Sequence, residues 1–396
     1  MARVQHVYYF DARYGMDMLR YGFDYWTGRS LVRYDYLFSN AVTMYDALGD
    51  TALISDLRRL LSIPDDAFML VDSGGFRYVS GTVNISPEAI YTVQSNIKGY
   101  AVVLDHPCRD PFRATREEVV LNARKTAENV RRVLKHIDEY GLRSKLYLVI
   151  QSYDPYTSFN SFSTWSEIAV EPFVGHEAFE GIALSARLVY ECFVHGLRQL
   201  RKKDYYGFKK VHLFGLWRTR PLGLYLIRDM LDIDLLTFDS ASLFKILMSN
   251  TVMVEDGKIK ATILTESPRY MKKGLFTPHE CGCMLCERLG KDIHERYVRE
   301  RRNQNEYRCY LIIHSLYMYS RLLERVERDP SLAYRYSDNP QLWYLAVDDS
   351  LAERHGIMHK ASSLDGSMFR RQVQARLDQL GISSQGYRRQ VQRRLI

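Results

Sequence analysis

Six short apolar runs recur through the middle of the chain, each separated from the next by a longer and more polar stretch. They are "FMLVDSGG" from Phe68, "YAVVLDH" from Tyr100, "KLYLVIQS" from Lys145, "GIALSA" from Gly181, "KVHLFGL" from Lys210 and "LLTFDSA" from Leu235. The clearest of the intervening patterns is "TREEVVLNARKTAENVRRVLKHIDEYG", where Thr115 followed by Glu118 has capping-box spacing and Gly141 supplies a stop. Continuously apolar strands alternating with helices predict a parallel sheet buried on both faces. Repetition of this unit along so much of the chain predicts that the sheet closes into a β/α barrel.

Nearly every run ends in a small or polar residue suited to a site: Asp72, Asp105, Gln151, Ser185, Gly215, Asp239. A single aspartate after a strand is usually a helix cap or a turn residue. In a β/α barrel, however, the C-terminal ends of all strands converge on one face, and active sites are built there. Delivery of such residues by strand after strand therefore predicts a catalytic mouth.

A length of 396 residues allows one large domain or two ordinary ones. No apolar run approaches the ~20 residues needed to cross a bilayer, so no membrane partner is expected. The opening "MARVQHVYYFDARYGMDM" has no clean apolar core of a secretory signal. Six cysteines, half of them in one cluster, fit a reducing compartment better than a disulfide framework, and a cytoplasmic location is expected.

That cluster is "CGCMLC", with Cys281, Cys283 and Cys286 in C-x-C-x2-C spacing. Three thiolates so close predict a zinc site, and His294, Cys309 and His314 are the candidates for a fourth ligand. A Cys3His set fills all four tetrahedral positions, so the Zn2+ is expected to be structural.

Charge is unevenly placed. Between Lys360 and Ile396 eight basic side chains face only Asp365 and Asp378, so most of the net +8 lies there. The segment repeats itself, "RRQVQARL" from Arg370 returning as "RRQVQRRL" from Arg388. Each copy reads as a short basic amphipathic helix. Arg370, Arg371, Arg388, Arg389, Arg393 and Arg394 are the candidate contacts to a nucleic-acid backbone.

"VDSGGFRYVS" (71–80), "SPEAIYTVQSNIKGYAVVLDHP" (86–107) and the cysteine cluster followed by His314 together resemble the tRNA-guanine transglycosylase superfamily, from about Tyr34 to about Leu323. The resemblance implies an α/β fold, a (β/α)8 TIM barrel with a structural zinc subdomain, held here by Cys281, Cys283, Cys286 and His314. It implies Asp239 as the nucleophile and Asp72 as the general acid/base. Asp105 and Gln151 would read the guanine edge, Phe76 and Phe214 would sandwich the base, and Ser73, Ser185, Ala186 and Gly215 would line the base site. Such enzymes exchange guanine in a nucleic acid for a free 7-deazaguanine base.

The departures point to one branch. The segment after Asp239, "SASLFKILMSNTV", lacks the Arg/Asn-rich stretch with which tRNA-modifying members read RNA, and "SARLVYE" stands where the family has "GGLAVGE". The residues after Leu323 are too few for the archaeal members' extra RNA-binding domain and carry the basic repeat instead. Loss of the RNA reader with retention of both aspartates resembles the DNA-modifying branch, found in phages and bacterial modification islands. DNA is the expected polymer partner and tRNA the alternative, with a homodimer as a candidate assembly. A non-catalytic nucleic-acid-binding barrel and an unrelated barrel glycosidase are the other readings. The expected boundaries are an N-terminal extension over 1–33, the barrel over 34–270, a zinc subdomain completing the barrel over 271–325 and a basic helical extension over 326–396.

Overall fold

The computed structural model describes residues 3–9, 36–48, 68–81, 84–97, 99–110, 113–141, 144–154, 157, 159–185, 190–202, 207–216, 219–239, 251–254, 259–261, 268–272, 274, 286, 304–337 and 340–350. Eight strands close into a barrel: β1 (Arg3–Tyr9), β2 (Tyr36–Asn40), β3 (Phe68–Asp72), β4 (Tyr100–Val102), β5 (Lys145–Gln151), β6 (Phe179–Ser185), β7 (Lys210–Leu213) and β8 (Leu235–Asp239). All neighbouring pairs are parallel, each strand lies beside its sequence neighbour, and β1 returns to pair with β8. The connections carry helices α1 (Ala41–Leu48), α2 (Gly75–Val79), α3 (Pro87–Asn96), α4 (Arg116–Tyr140), α5 (Ser161–Ala169) and α6 (Tyr190–Lys202).

Local chemistry sets the helix ends. The Ser86 hydroxyl accepts from the Ala89 amide ahead of Pro87 at the first turn of α3. The Thr115 hydroxyl accepts from the Glu118 amide at 3.2 Å, and Gly141 ends α4 at a φ of 73°. Both α4 boundaries were legible in its sequence.

Most residues of β3 to β8 are buried; every residue of β8 and all of β5 after Lys145 are enclosed. At the end opposite the strand C-termini lie aromatic rings and the ion pair of Lys210 with Glu180. Lys210 on β7 donates to the Tyr100 hydroxyl on β4 at 2.9 Å and lies 4.8 Å from that ring's centroid. Because β5 and β6 separate these strands, the contact crosses the barrel. Tyr100 also stacks on Phe68 and meets the edge of Tyr147, closing that end.

Three boundaries differ from expectation. Residues 3–9 are not part of an extension: they form β1, pairing with β8 from Arg3↔Leu235 to Val7↔Asp239. "RVQHVYY" lacks a continuous apolar run because Arg3, Gln5 and His6 interrupt it, yet His6 is buried by ring contacts with Phe238 and Tyr319. Closure of the barrel therefore falls to β1 and not to residues 271–325. After β8, β9 (Thr251–Met253) and β10 (Ile259–Ala261) form a separate antiparallel pair. Beyond them, α7 (Gln304–Arg328) runs through the expected boundary at 326, and residues 330–337 and 340–350 join the body. Trp343 is fully buried and its indole N–H donates to the Arg220 carbonyl at 2.9 Å, while Asp349 receives Arg198 and Arg201 of α6. The basic repeat from Arg370 lies outside the described residues.

Candidate active site

The strand C-termini bring Asp72, Asp105, Gln151 and Asp239 to one mouth, with Ser185, Phe214 and Gly215 beside them. Asp72 ends β3, and its Oδ2 accepts from the Asn40 side chain at the end of β2 at 2.8 Å. In register terms Asn40 sits directly opposite Asp72. Asn40 was missed by sequence reasoning; "YLFSN" is a short apolar run with a polar end of the kind that flagged the other strands.

The two glycines after Asp72 have separate jobs. Gly74 has a φ of 79°, which a side chain rarely tolerates, and starts α2. Gly75 lies against Asp105, so that a Cβ there would meet both the carboxylate and the backbone carbonyl of that residue. The turn thereby brings Asp72 and Asp105 together. Ser73, expected to line the base site, is fully enclosed. Phe76, one turn on, is 51% exposed at the surface.

Asp105 is buried and accepts from the Gln151 amide through Oδ2. Gln151 Oε1 in turn accepts from the Tyr153 hydroxyl at 3.4 Å, and that hydroxyl also accepts from the Cys108 amide at 2.9 Å. The chain fixes the orientation of the Gln151 amide from below. Burial raises the Asp105 carboxyl to about 6, against the opposing effect of Gln151. Asp72 goes further, to about 7: burial comes first, then the charge of Asp105, with Asp239 adding to it and the Gly74 amide and Asn40 opposing. Three carboxyl groups on three strands thus share one electrostatic environment, and Asp72 is the one poised near neutrality.

Asp239 ends β8 and is 4% exposed. Its Oδ1 accepts from the Gly215 amide at 2.7 Å and lies 3.3 Å from His212 Nε2. Gly215 reaches it through a turn with φ of 70° just after β7. The Phe214 ring, half-buried, meets the His212 ring edge-on at 4.7 Å. His212 and its hydrogen-bond partner Thr237 were also missed; the one signal was a histidine two positions before Phe214 in an otherwise apolar strand.

No family model matches this chain, and no curated protein matches it. The functional reading rests on the residues themselves.

Away from the mouth, Cys286 and His314, two of the four residues expected to hold a zinc, lie beside each other. Cys286 Sγ and His314 Nδ1 are 3.5 Å apart, and both residues are buried. Tetrahedral zinc with bonds of about 2.3 Å to sulfur and 2.0–2.1 Å to nitrogen holds such a pair about 3.5 Å apart. The other ring nitrogen, Nε2, lies 3.1 Å from the Met253 carbonyl. Donation there leaves the Nδ1 lone pair facing the sulfur, the arrangement that metal-binding histidines use. The Met253 amide donates to Ser315, so α7 grips β9 through both backbone groups of one residue. Cys281, Cys283, Ala186 and the tail arginines Arg370, Arg371, Arg388, Arg389, Arg393 and Arg394 lie outside the described residues.

Proposed function

We propose that the protein is a transglycosylase that exchanges guanine in DNA for a free 7-deazaguanine base, 7-cyano-7-deazaguanine or a derivative, through a covalent aspartyl-glycosyl intermediate. The observation that carries this reading is the grouping of Asp72, Asp105 and Asp239 at one barrel mouth with Asp72 raised to about 7. Two carboxylates with divided roles, one nucleophilic and one exchanging protons, are the machinery of retention at a glycosidic carbon.

An Asp239 oxygen attacks C1′ as the C1′–N9 bond breaks. The departing electron pair on guanine takes the Asp72 proton. The incoming deazaguanine gives its N9 proton back to Asp72 and attacks C1′, releasing Asp239. Atoms and protons balance, and Asp72 must alternate between two protonation states, as its position near neutrality favours. Asp105, steadied by Gln151, accepts from the N1–H and N2–H2 edge of the base. Half-exposed Phe76 offers a stacking face to a base lifted out of the helix. Cys286 and His314, with Cys281 and Cys283, would hold a structural zinc that ties β9 to α7 and takes no part in the exchange.

The choice of DNA over tRNA rests on the missing Arg-rich segment after Asp239 and on the basic repeat. The test offers equal amounts of DNA and guanine-bearing tRNA with labelled 7-cyano-7-deazaguanine. Label in DNA is the expected result. Label in tRNA alone promotes the tRNA-guanine transglycosylase reading, and label in neither, with DNA still bound, favours a non-catalytic binding barrel.

A further inference from the structure

His212 stands inside the barrel with none of its surface exposed. Its Nδ1 lies 2.9 Å from the Thr237 hydroxyl, and its Nε2 lies 3.3 Å from Asp239 Oδ1. The register explains the triad: His212 is paired with Thr237 across β7 and β8, and Asp239 is two residues further along β8 on the same face. The Thr237 hydroxyl, also 3.3 Å from the Val211 carbonyl, can donate to that carbonyl or to Nδ1. If it donates to Nδ1, the neutral ring carries its proton on Nε2. If it donates to Val211 and accepts from Nδ1–H, the neutral ring turns a lone pair on Nε2 towards the carboxylate, which is repulsive, so the first pattern is favoured. The favoured pattern places the proton on Nε2, beside Asp239 Oδ1 at ion-pair distance although not aligned as a hydrogen bond.

Asp239 Oδ1 therefore accepts from the Gly215 amide at 2.7 Å and has His212 Nε2 beside it at 3.3 Å. We infer that His212 is a positioning residue for Asp239: it fixes Oδ1 so that Oδ2 forms the bond to C1′, and it stabilises the carboxylate as that bond breaks. This rests on the transglycosylase reading for its chemistry but not for its geometry. The donor pair resembles an anion-stabilising site whose anion is a side chain of the protein. Its effect differs between the two half-reactions. Removing a donor raises the energy of the free carboxylate, so Asp239 enters the ester readily and leaves it slowly.

The experiment has two arms. In the first, exchange of labelled guanine into an oligonucleotide and the denaturation-resistant protein–DNA adduct are followed together for wild type, His212→Leu and His212→Gln. We expect His212→Leu to lower exchange by about 100-fold, as loss of one such donor does elsewhere, while the adduct fraction rises. His212→Gln, which keeps an N–H of similar reach, should recover much of the exchange. Unchanged exchange in His212→Leu overturns the inference, as does an adduct that falls together with exchange. In the second arm, long-range 1H–15N NMR of histidine-labelled wild type reads the protonation of the ring, the His212 signals being assigned by their loss in His212→Gln. A proton on Nε2 is expected, and an unprotonated Nε2 overturns the inference without any turnover being measured. A wild type that exchanges no base but shows the Nε2 proton sinks the transglycosylase reading and leaves the His212–Asp239 pairing standing.

Discussion

Gly75 approaches Asp105 so closely that a Cβ on it would overlap Oδ1 and sit 2.5 Å from the backbone carbonyl oxygen of Asp105. The backbone oxygen cannot swing aside as a side-chain tip can. Gly75→Ala should therefore push α2 and the Asp105 carboxylate apart, costing about 1–3 kcal/mol of stability by overpacking and most of the exchange activity. Gly81→Ala is the control: its Cβ would meet nothing within 4 Å, so only its φ of 68° is strained. Thermal melts and exchange rates of the two variants check this, and equal activity losses would contradict it.

Asp72 carries a pH signature in both rate and stability. Its carboxyl is raised to about 7, mainly by burial and then by Asp105. An unfolded aspartate titrates near ~3.9, so between about 4 and 7 the folded state holds a proton that the unfolded state has lost. Stability conferred by that proton is full below about 4 and declines as pH rises through about 7. Asp72→Asn should accordingly raise the melting temperature at pH 8, leave it nearly unchanged at pH 4, and abolish exchange. An Asp72→Asn protein no more stable than wild type at pH 8 would contradict the assignment. In wild type the exchange rate should bend near pH 7.

For the metal, mass spectrometry of purified protein is expected to show about one zinc per chain. His314→Ala and Cys286→Ser should each lower that content and destabilise the fold by several kcal/mol, since a structural zinc contributes to folding directly. Zinc-free protein that melts normally would refute this.

Half-exposed Phe76 separates function from stability. Phe76→Ala should move stability by no more than about 0.5 kcal/mol. It should weaken capture of the extruded base by about 1–3 kcal/mol, the size of one base–aromatic stack. Calorimetric melts and the KM for oligonucleotide test the two halves separately.

Deleting the residues after Ser367 removes all seven arginines of the repeat. DNA affinity should fall and its inverse dependence on salt should flatten, because each phosphate contact contributes to that slope. At saturating oligonucleotide, turnover should persist. A binding isotherm series across ionic strength decides it, and an unchanged slope would place the DNA contacts elsewhere.

Six barrel strands were legible because each is buried on both faces and so reads as an unbroken apolar run; β5 and β8 are examples. β1 was not legible, since Arg3, Gln5 and His6 break its pattern and the burial of His6 depends on Tyr319 from the far end of the chain. The C-terminal region was misjudged for a similar reason: Trp343 has its place only once the Arg220 carbonyl is there to receive it. Within the site, Asp72, Asp105, Gln151 and Asp239 stood out as polar ends of apolar strands. Asn40 and His212 did not, because their relevance lies in contacts across strand neighbours that no linear spacing encodes.

Pairing between β1 and β8 also orders events in time. Until Leu235–Asp239 has emerged from the ribosome, β1 lacks its partner on one edge, and the proposed nucleophile is not yet present. The barrel seam that forms last during synthesis is the one beside Asp239, so on the transglycosylase reading a chain that stops before Leu235 is chemically silent rather than partly active.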